Sequence, residues 1–281
     1  MNWITDFKIP IGPWAKAFVD WLTSNADWFF NQLAFVLSHV IDGILFVLQK
    51  PHPLIVVLAI TAIAYWLRRS FVVAVFTCLG LLFIMNQGYW KETTATLALV
   101  LASTFVSMVV GIPLGIAAAR RPWVNSLLRP ILDLMQTIPT FVYLIPALIL
   151  FGLGMVPGLI ATVIFAIPAP IRLTRLGIIS TPPSLVEAAE SFGATPMQVL
   201  RKVELPYATP QIMAGLTQTI MLSLSMVVIA ALVGADGLGV PVVRALNTVN
   251  VAKGFEAGLC IVILAIILDR MFRAAGEGDG A

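Results

Sequence analysis

Residues able to do covalent or metal chemistry are sparse in this chain of 281 residues. Its histidines are His39 and His52, and its two cysteines, Cys78 and Cys260, stand inside apolar runs. No HExxH, no Ser/His/Asp arrangement and no cysteine cluster occurs, so an intramembrane protease or metalloenzyme has little to work with. No glycine-rich loop ending in Gly-Lys-Ser/Thr is present to cradle a nucleotide phosphate. The cysteines read as small buried hydrophobes. What remains is recognition and movement. One candidate set is Gln136, Thr137, Ser223 and Ser225, polar groups in otherwise apolar stretches, with Phe105, Phe141 and Tyr143 as aromatic neighbours. Helix-to-helix hydrogen bonds and aromatic packing account for them as well as a weakly polar passage with cation-facing rings does.

The second candidate set lies in 181–206. Ser184 and Glu187 have capping-box spacing, which predicts a short helix over 185–192 with Gly193 as a left-handed C-terminal cap. Thr195 and Gln198 repeat that spacing, with Pro196 at the first helical position. The second helix is expected to run to about Glu204 and to stop at Pro206. Ala188 and Ala189 leave one face small, while Leu185 and Phe192 offer apolar anchors. Such a hairpin suits either docking on a partner or packing on its own chain.

The elements that position these groups follow from composition. Hydrophobic residues make up 59% and charged residues 11%, with mean hydropathy +0.97. Soluble domains hold roughly 45–50% apolar and about 25% charged residues. An ordinary soluble enzyme, a disordered chain and a nucleic-acid binder are therefore excluded. Apolar runs at 53–67, 71–88, 93–119, 134–153, 156–171, 211–234 and 252–269 read as transmembrane helices. Every arginine except Arg244 falls in alternate loops or the C-terminal end, which the positive-inside pattern places in the cytoplasm. The C-terminus is then cytoplasmic, and 172–210 is the longest cytoplasmic loop. The central spans hold no ionisable residue, which weakens an ion-coupled mechanism. Asp133, Glu256 and Asp269 stand only near span ends.

The N-terminal segment, 1–50, is ambiguous. Asn31, Ser38, Asp42 and Gln49 share one helical face, and Trp3, Trp14, Trp21 and Trp28 suit a headgroup layer. Amphipathic helices on the outer surface, with the N-terminus outside, are expected. The alternative is an eighth span with the N-terminus inside. No basic stretch feeding an apolar core marks a secretory leader.

The run Glu187-Ala-Ala-Glu-Ser-Phe-Gly193, followed by Leu205-Pro206, resembles the EAA loop of type I ABC importer permeases. Glu187, Ala188, Ala189 and Gly193 match the motif, and Phe192, Ala194, Leu205 and Pro206 fill adjoining positions. Stretches such as 134–146 and 222–230 are similar to ProW-type permeases for glycine betaine, proline betaine or choline, and the short N-terminal region resembles the choline branch. The resemblance implies an all-α polytopic bundle of the MetI-like fold. The similarity covers about residues 50–273, and the chain is expected to divide into an interfacial segment 1–50, peripheral spans 51–90, a type-1 core 91–273 and a disordered tail 274–281. The resemblance further implies a second permease copy, two ATPase subunits that carry ATP and Mg2+, and an external substrate-binding protein at the bacterial inner membrane. This chain would bind no cofactor and catalyse nothing. A stand-alone secondary transporter or channel for a small cationic or zwitterionic solute is the competing reading, and an integral membrane enzyme a third.

Overall fold

In hydrocarbon every backbone N–H and C=O must be satisfied within its own segment, so these apolar runs fold as helices. The computed structural model describes residues 10–273. The tail expected at 274–281, and Trp3, lie outside them. The helices are α1 (Ile11–Gln49), α2 (Pro53–Arg68), α3 (Phe71–Asn86), α4 (Trp90–Arg120), α5 (Pro122–Thr137), α6 (Thr140–Phe151), α7 (Met155–Ala166) and α8 (Pro168–Ile179). They continue with α9 (Pro183–Ser191), α10 (Pro196–Val199), α11 (Leu205–Ser225), α12 (Val227–Ala231), α13 (Gly239–Asn247) and α14 (Val251–Phe272). Among the described residues there is no strand.

The 31-residue α4 is the axis of the bundle, with all of 93–100 buried. Small residues let its neighbours approach. A Cβ on Gly115 would sit 2.7 Å from the Ile171 carbonyl oxygen and from Thr174 Cβ, so α4 and α8 cross almost backbone to backbone. Gly177 does the same between α8 and α11, where a Cβ would lie 2.8 Å from Ala208 Cβ. Side-chain packing and close approach, rather than a hydrophobic drive, hold helices together in lipid. The largest core cluster joins α2, α3, α4, α11 and α14 through residues such as Val57, Ile84, Val100, Ile220 and Leu264.

Four expectations are corrected. The span expected at 134–153 is two helices, α5 and α6, bent by 97°. Pro139 lacks an N–H and drives Ile138 into an extended conformation (ψ 129°), which breaks the ladder there. The span expected to end at 171 continues to Ile179, because α7 and α8 run on as one 25-residue span. Arg172 and Arg175 therefore sit in a helix, and the loop expected at 172–210 is confined to about 180–204. Nor does the helical path stop at Pro206. A π-turn, Leu200–Glu204, feeds directly into α11, and the Leu205 amide bonds the Leu200 carbonyl. The wider turn absorbs the hydrogen bond that Pro206 cannot make.

The fourth difference concerns only the number of helices in the N-terminal segment. It forms one 39-residue helix, not several, long and apolar enough to span. Gln49 Nε2 donates to Thr94 Oγ1 at 2.9 Å, while Leu37 and Ile41 pack with Leu99 and Ala102. Thus α1 runs antiparallel to α4 and descends from its start. Asp27, Asn31 and Asp42 stay exposed, with Asn31 bonded to Asp27 at 2.8 Å.

Arg68 Nη1 donates to the Arg273 carbonyl at 2.6 Å, and Arg120 meets Glu204 and Pro196 of the α9–α10 region. The arginine-bearing ends of α2, α4 and α14 therefore gather with the hairpin at one end of the bundle.

Candidate functional site

The hairpin is assembled from local signals. Its first arm begins at Pro182, with Pro183 at the first helical position, and no side chain caps it. The box expected from Ser184 and Glu187 does not form: Pro-Pro fixes the helix start earlier and puts Ser184 inside the first turn. The arm ends as expected. Gly193 adopts φ +78°, the Ala194 amide bonds the Ala189 carbonyl at 3.1 Å, and the Gly193 amide bonds Glu190 at 2.8 Å. That pair of bonds is a Schellman cap. The second arm has its full box: Thr195 Oγ1 accepts from the Gln198 amide, and Gln198 Oε1 accepts from the Thr195 amide at 2.7 Å.

The base of the hairpin is fixed while its tip is bare. Arg120 Nη2 lies 2.7 Å from Glu204 Oε2 and 3.0 Å from the Pro196 carbonyl, tying α4 to the second arm. Leu205 packs against Ile178, Leu200 and Ala208. In α9 nothing is buried: Leu185 is 47% exposed, Glu187 and Ala188 are open to solvent, and Phe192 just beyond the helix is 93% exposed. Ala189 and Ala194 are half-buried, and Pro206 is exposed. A nine-residue helix that buries nothing gains little from its own chain. Its apolar and acidic face is available to a partner.

The residues considered for a passage have separate surroundings. Ser223 is fully buried and accepts from Ser103 of α4 at 3.1 Å, a helix-to-helix bond. Ser225 is exposed and bonds its own helix at Met221. Gln136 accepts from Arg172 at 2.7 Å, and Arg172 also bonds Asp133 at 2.7 Å. Thr137 makes one long contact, 3.5 Å, to the Leu134 carbonyl. Phe105 and Phe141 are exposed. Tyr143 packs against a cluster of Leu144, Ala161 and Met226, and its hydroxyl has no partner. Sequence reasoning set Asp133 aside as an end-of-span charge and missed its bond to Arg172. The signal was there: one carboxylate and one arginine flanking two adjacent spans.

At the end opposite the hairpin lies a cleft of about 650 Å³, walled by Tyr89, Glu92, Asp236, Arg244 and Lys253 among others. Burial, then the charge of Glu256, raises the Tyr89 hydroxyl above its usual range. It stays protonated and donates to Glu256 Oε2 at 3.4 Å. Thr96 Oγ1 accepts from the Leu238 amide at 2.8 Å, seating the loop before α13 on α4. Among the described residues no group of three His, Cys, Asp or Glu could hold a metal ion.

This bundle, with a capped hairpin between two of its helices, defines a class of transport protein. Residues 111–276, more than half of the chain, match the family described as binding-protein-dependent transport system inner membrane component. The chain belongs to that family, and is a multi-pass inner-membrane subunit of the type I ABC importer class. It is 47% identical to the glycine betaine transport system permease protein OpuAB of Bacillus subtilis, over 94% of this chain and 93% of that one. It is 43% identical to the glycine betaine/proline betaine permease ProW of Escherichia coli, over 96% of this chain and 76% of that one. The fold is similar to solved structures of inward-facing conformations of the MetNI methionine ABC transporter. One aligns with TM-score 0.57 and 26% identity over 62% of this chain and 88% of that one.

Proposed function

We propose that this chain forms the translocation pathway of an ATP-driven importer for a quaternary ammonium compound, a betaine or choline. It pairs with a second copy of itself, is driven by two ATPase subunits, and receives substrate from an external binding protein. ATP and Mg2+ reside on the ATPases, and this chain does no bond chemistry. The observation that carries the reading is the bare, doubly capped hairpin on a fixed base, together with high identity to glycine betaine permeases. The hairpin end faces the cytoplasm, since the arginine-bearing ends gather there.

The motion follows from the construction. ATP binding closes the ATPases and displaces the tip around Glu187–Phe192. The capped turn at Gly193 and the Arg120–Glu204 tie carry the displacement into α4 and α11 rather than dissipating it in a loop. The bundle then exchanges inward-open for outward-open because the ATP-bound ATPases favour one arrangement.

Reconstitution of this chain with its ATPase and binding protein tests the reading. Radiolabelled glycine betaine or choline uptake should require ATP and both partners. Uptake by this chain alone, driven by a sodium or proton gradient, would establish the secondary-transporter reading instead.

A further inference from the structure

The groove between α5 and α8 carries a charge that its own residues do not balance. Arg129 from α5, with Arg172 and Arg175 from α8, lines a space of about 470 Å³. Asp133 is the one carboxylate on that wall, and it is engaged by Arg172 at 2.7 Å. Gln136 takes the other Arg172 nitrogen. Among the described residues neither Arg129 nor Arg175 has a carboxylate within 4 Å. The Arg175 Nε is buried and has no hydrogen-bond partner. Two guanidinium groups held without counter-charge in a partly enclosed space create a positive potential and unmet donors.

We propose that this groove binds the headgroup of an anionic phospholipid, with Arg129 and Arg175 on the phosphate. The planar fork of arginine donors matches phosphate oxygens. Lipid is favoured over a free anion for two reasons. Apart from the charged groups and Asn125, the wall is apolar, with Ala118, Leu128, Leu132, Ile171 and Leu176, which gives a fully hydrated ion little to bond but suits glycerol and acyl chains. The groove also lies at the hairpin end, where the arginines place the inner leaflet, and Leu176 and Ile179 beside it are exposed. The inference stands apart from what the chain transports.

The full chain, purified in mild detergent, is titrated with phosphatidylglycerol, with phosphatidylcholine of the same acyl chains, and with inorganic phosphate. Native mass spectrometry counts bound lipid. Phosphatidylglycerol should bind at low stoichiometry, and the double variant R129Q/R175Q should bind it roughly tenfold more weakly or worse. R121Q/R270Q removes the same charge from exposed positions at the same end and should bind it like the native chain. If the double variant fails to fold, R129Q alone alters an exposed side chain and should still weaken binding several-fold. Equal phosphatidylglycerol affinity in native and R129Q chains overturns the proposal. So does equal affinity of the native chain for phosphatidylcholine, or displacement of phosphatidylglycerol by comparable inorganic phosphate.

Discussion

Gly193 is held at φ +78° with open space where its Cβ would be, so a substitution there strains the backbone without striking a neighbour. A β-branched residue in that conformation costs about 1–2 kcal/mol. Gly193→Val should therefore leave insertion intact but melt the cap of α9. In proteoliposomes we expect ATP hydrolysis to continue while uptake falls at least several-fold; unchanged uptake would contradict the role given to the tip. Ser223 poses the opposite case. Because its hydroxyl is buried against Ser103, Ser223→Ala should leave the substrate KM unchanged and reduce stability only slightly. A double-mutant cycle with Ser103→Ala should give a coupling near the intramembrane average of about 0.6 kcal/mol. A large shift in KM would return Ser223 to the passage.

At the scale of elements, the crossings of α4, α8 and α11 depend on missing Cβ atoms. Gly177→Val forces a side chain into Ala208, where the nearest contact is already 2.8 Å, and overpacking of that kind costs about 1–3 kcal/mol. Thermal unfolding in detergent should show a clear loss for Gly177→Val and almost none for Gly12→Ala, which meets nothing. Hydropathy was enough to read where the apolar helices lie, but not their limits: the span expected at 211–234 is Leu205–Ser225 followed by the short helix Val227–Ala231. The second capping box and the glycine cap were legible because each is set by residues three or four apart. Interruptions were not. Pro139 bends its span by 97°, whereas Pro206 and Pro113 lie within continuous helix, and nothing local distinguishes them. A proline breaks a helix only where neighbours and wider turns fail to satisfy the freed carbonyl. The extent of α8 was missed for a related reason: its arginines are tolerated inside the helix because Arg172 finds Asp133 and Gln136 on another element.

Across the whole molecule, force can travel from a bare tip to the opposite end along continuous structure. The hairpin is tied to the C-terminal end of α4 through Arg120 and Glu204, α8 crosses α4 and α11 closely, and α4 begins at the cleft around Tyr89. The Arg120–Glu204 pair is partly solvent-exposed, so its loss should cost only about 0–1 kcal/mol of stability. Its effect on coupling should exceed that. Arg120→Ala is expected to lower uptake per ATP hydrolysed with little change in unfolding temperature, and an unaltered ratio would show that the tie carries no force.

The central claim is that a separate ATPase grips the tip of the hairpin. The direct measurement uses Phe192→Cys in a chain whose Cys78 and Cys260 are replaced by alanine, assembled with its ATPase and treated with a short thiol cross-linker. The account predicts a permease–ATPase adduct whose yield changes when ATP is bound, and no adduct from a cysteine at Leu246 on the opposite end. Adduct from Leu246→Cys, or none from Phe192→Cys in a complex that still hydrolyses ATP and transports, would contradict it.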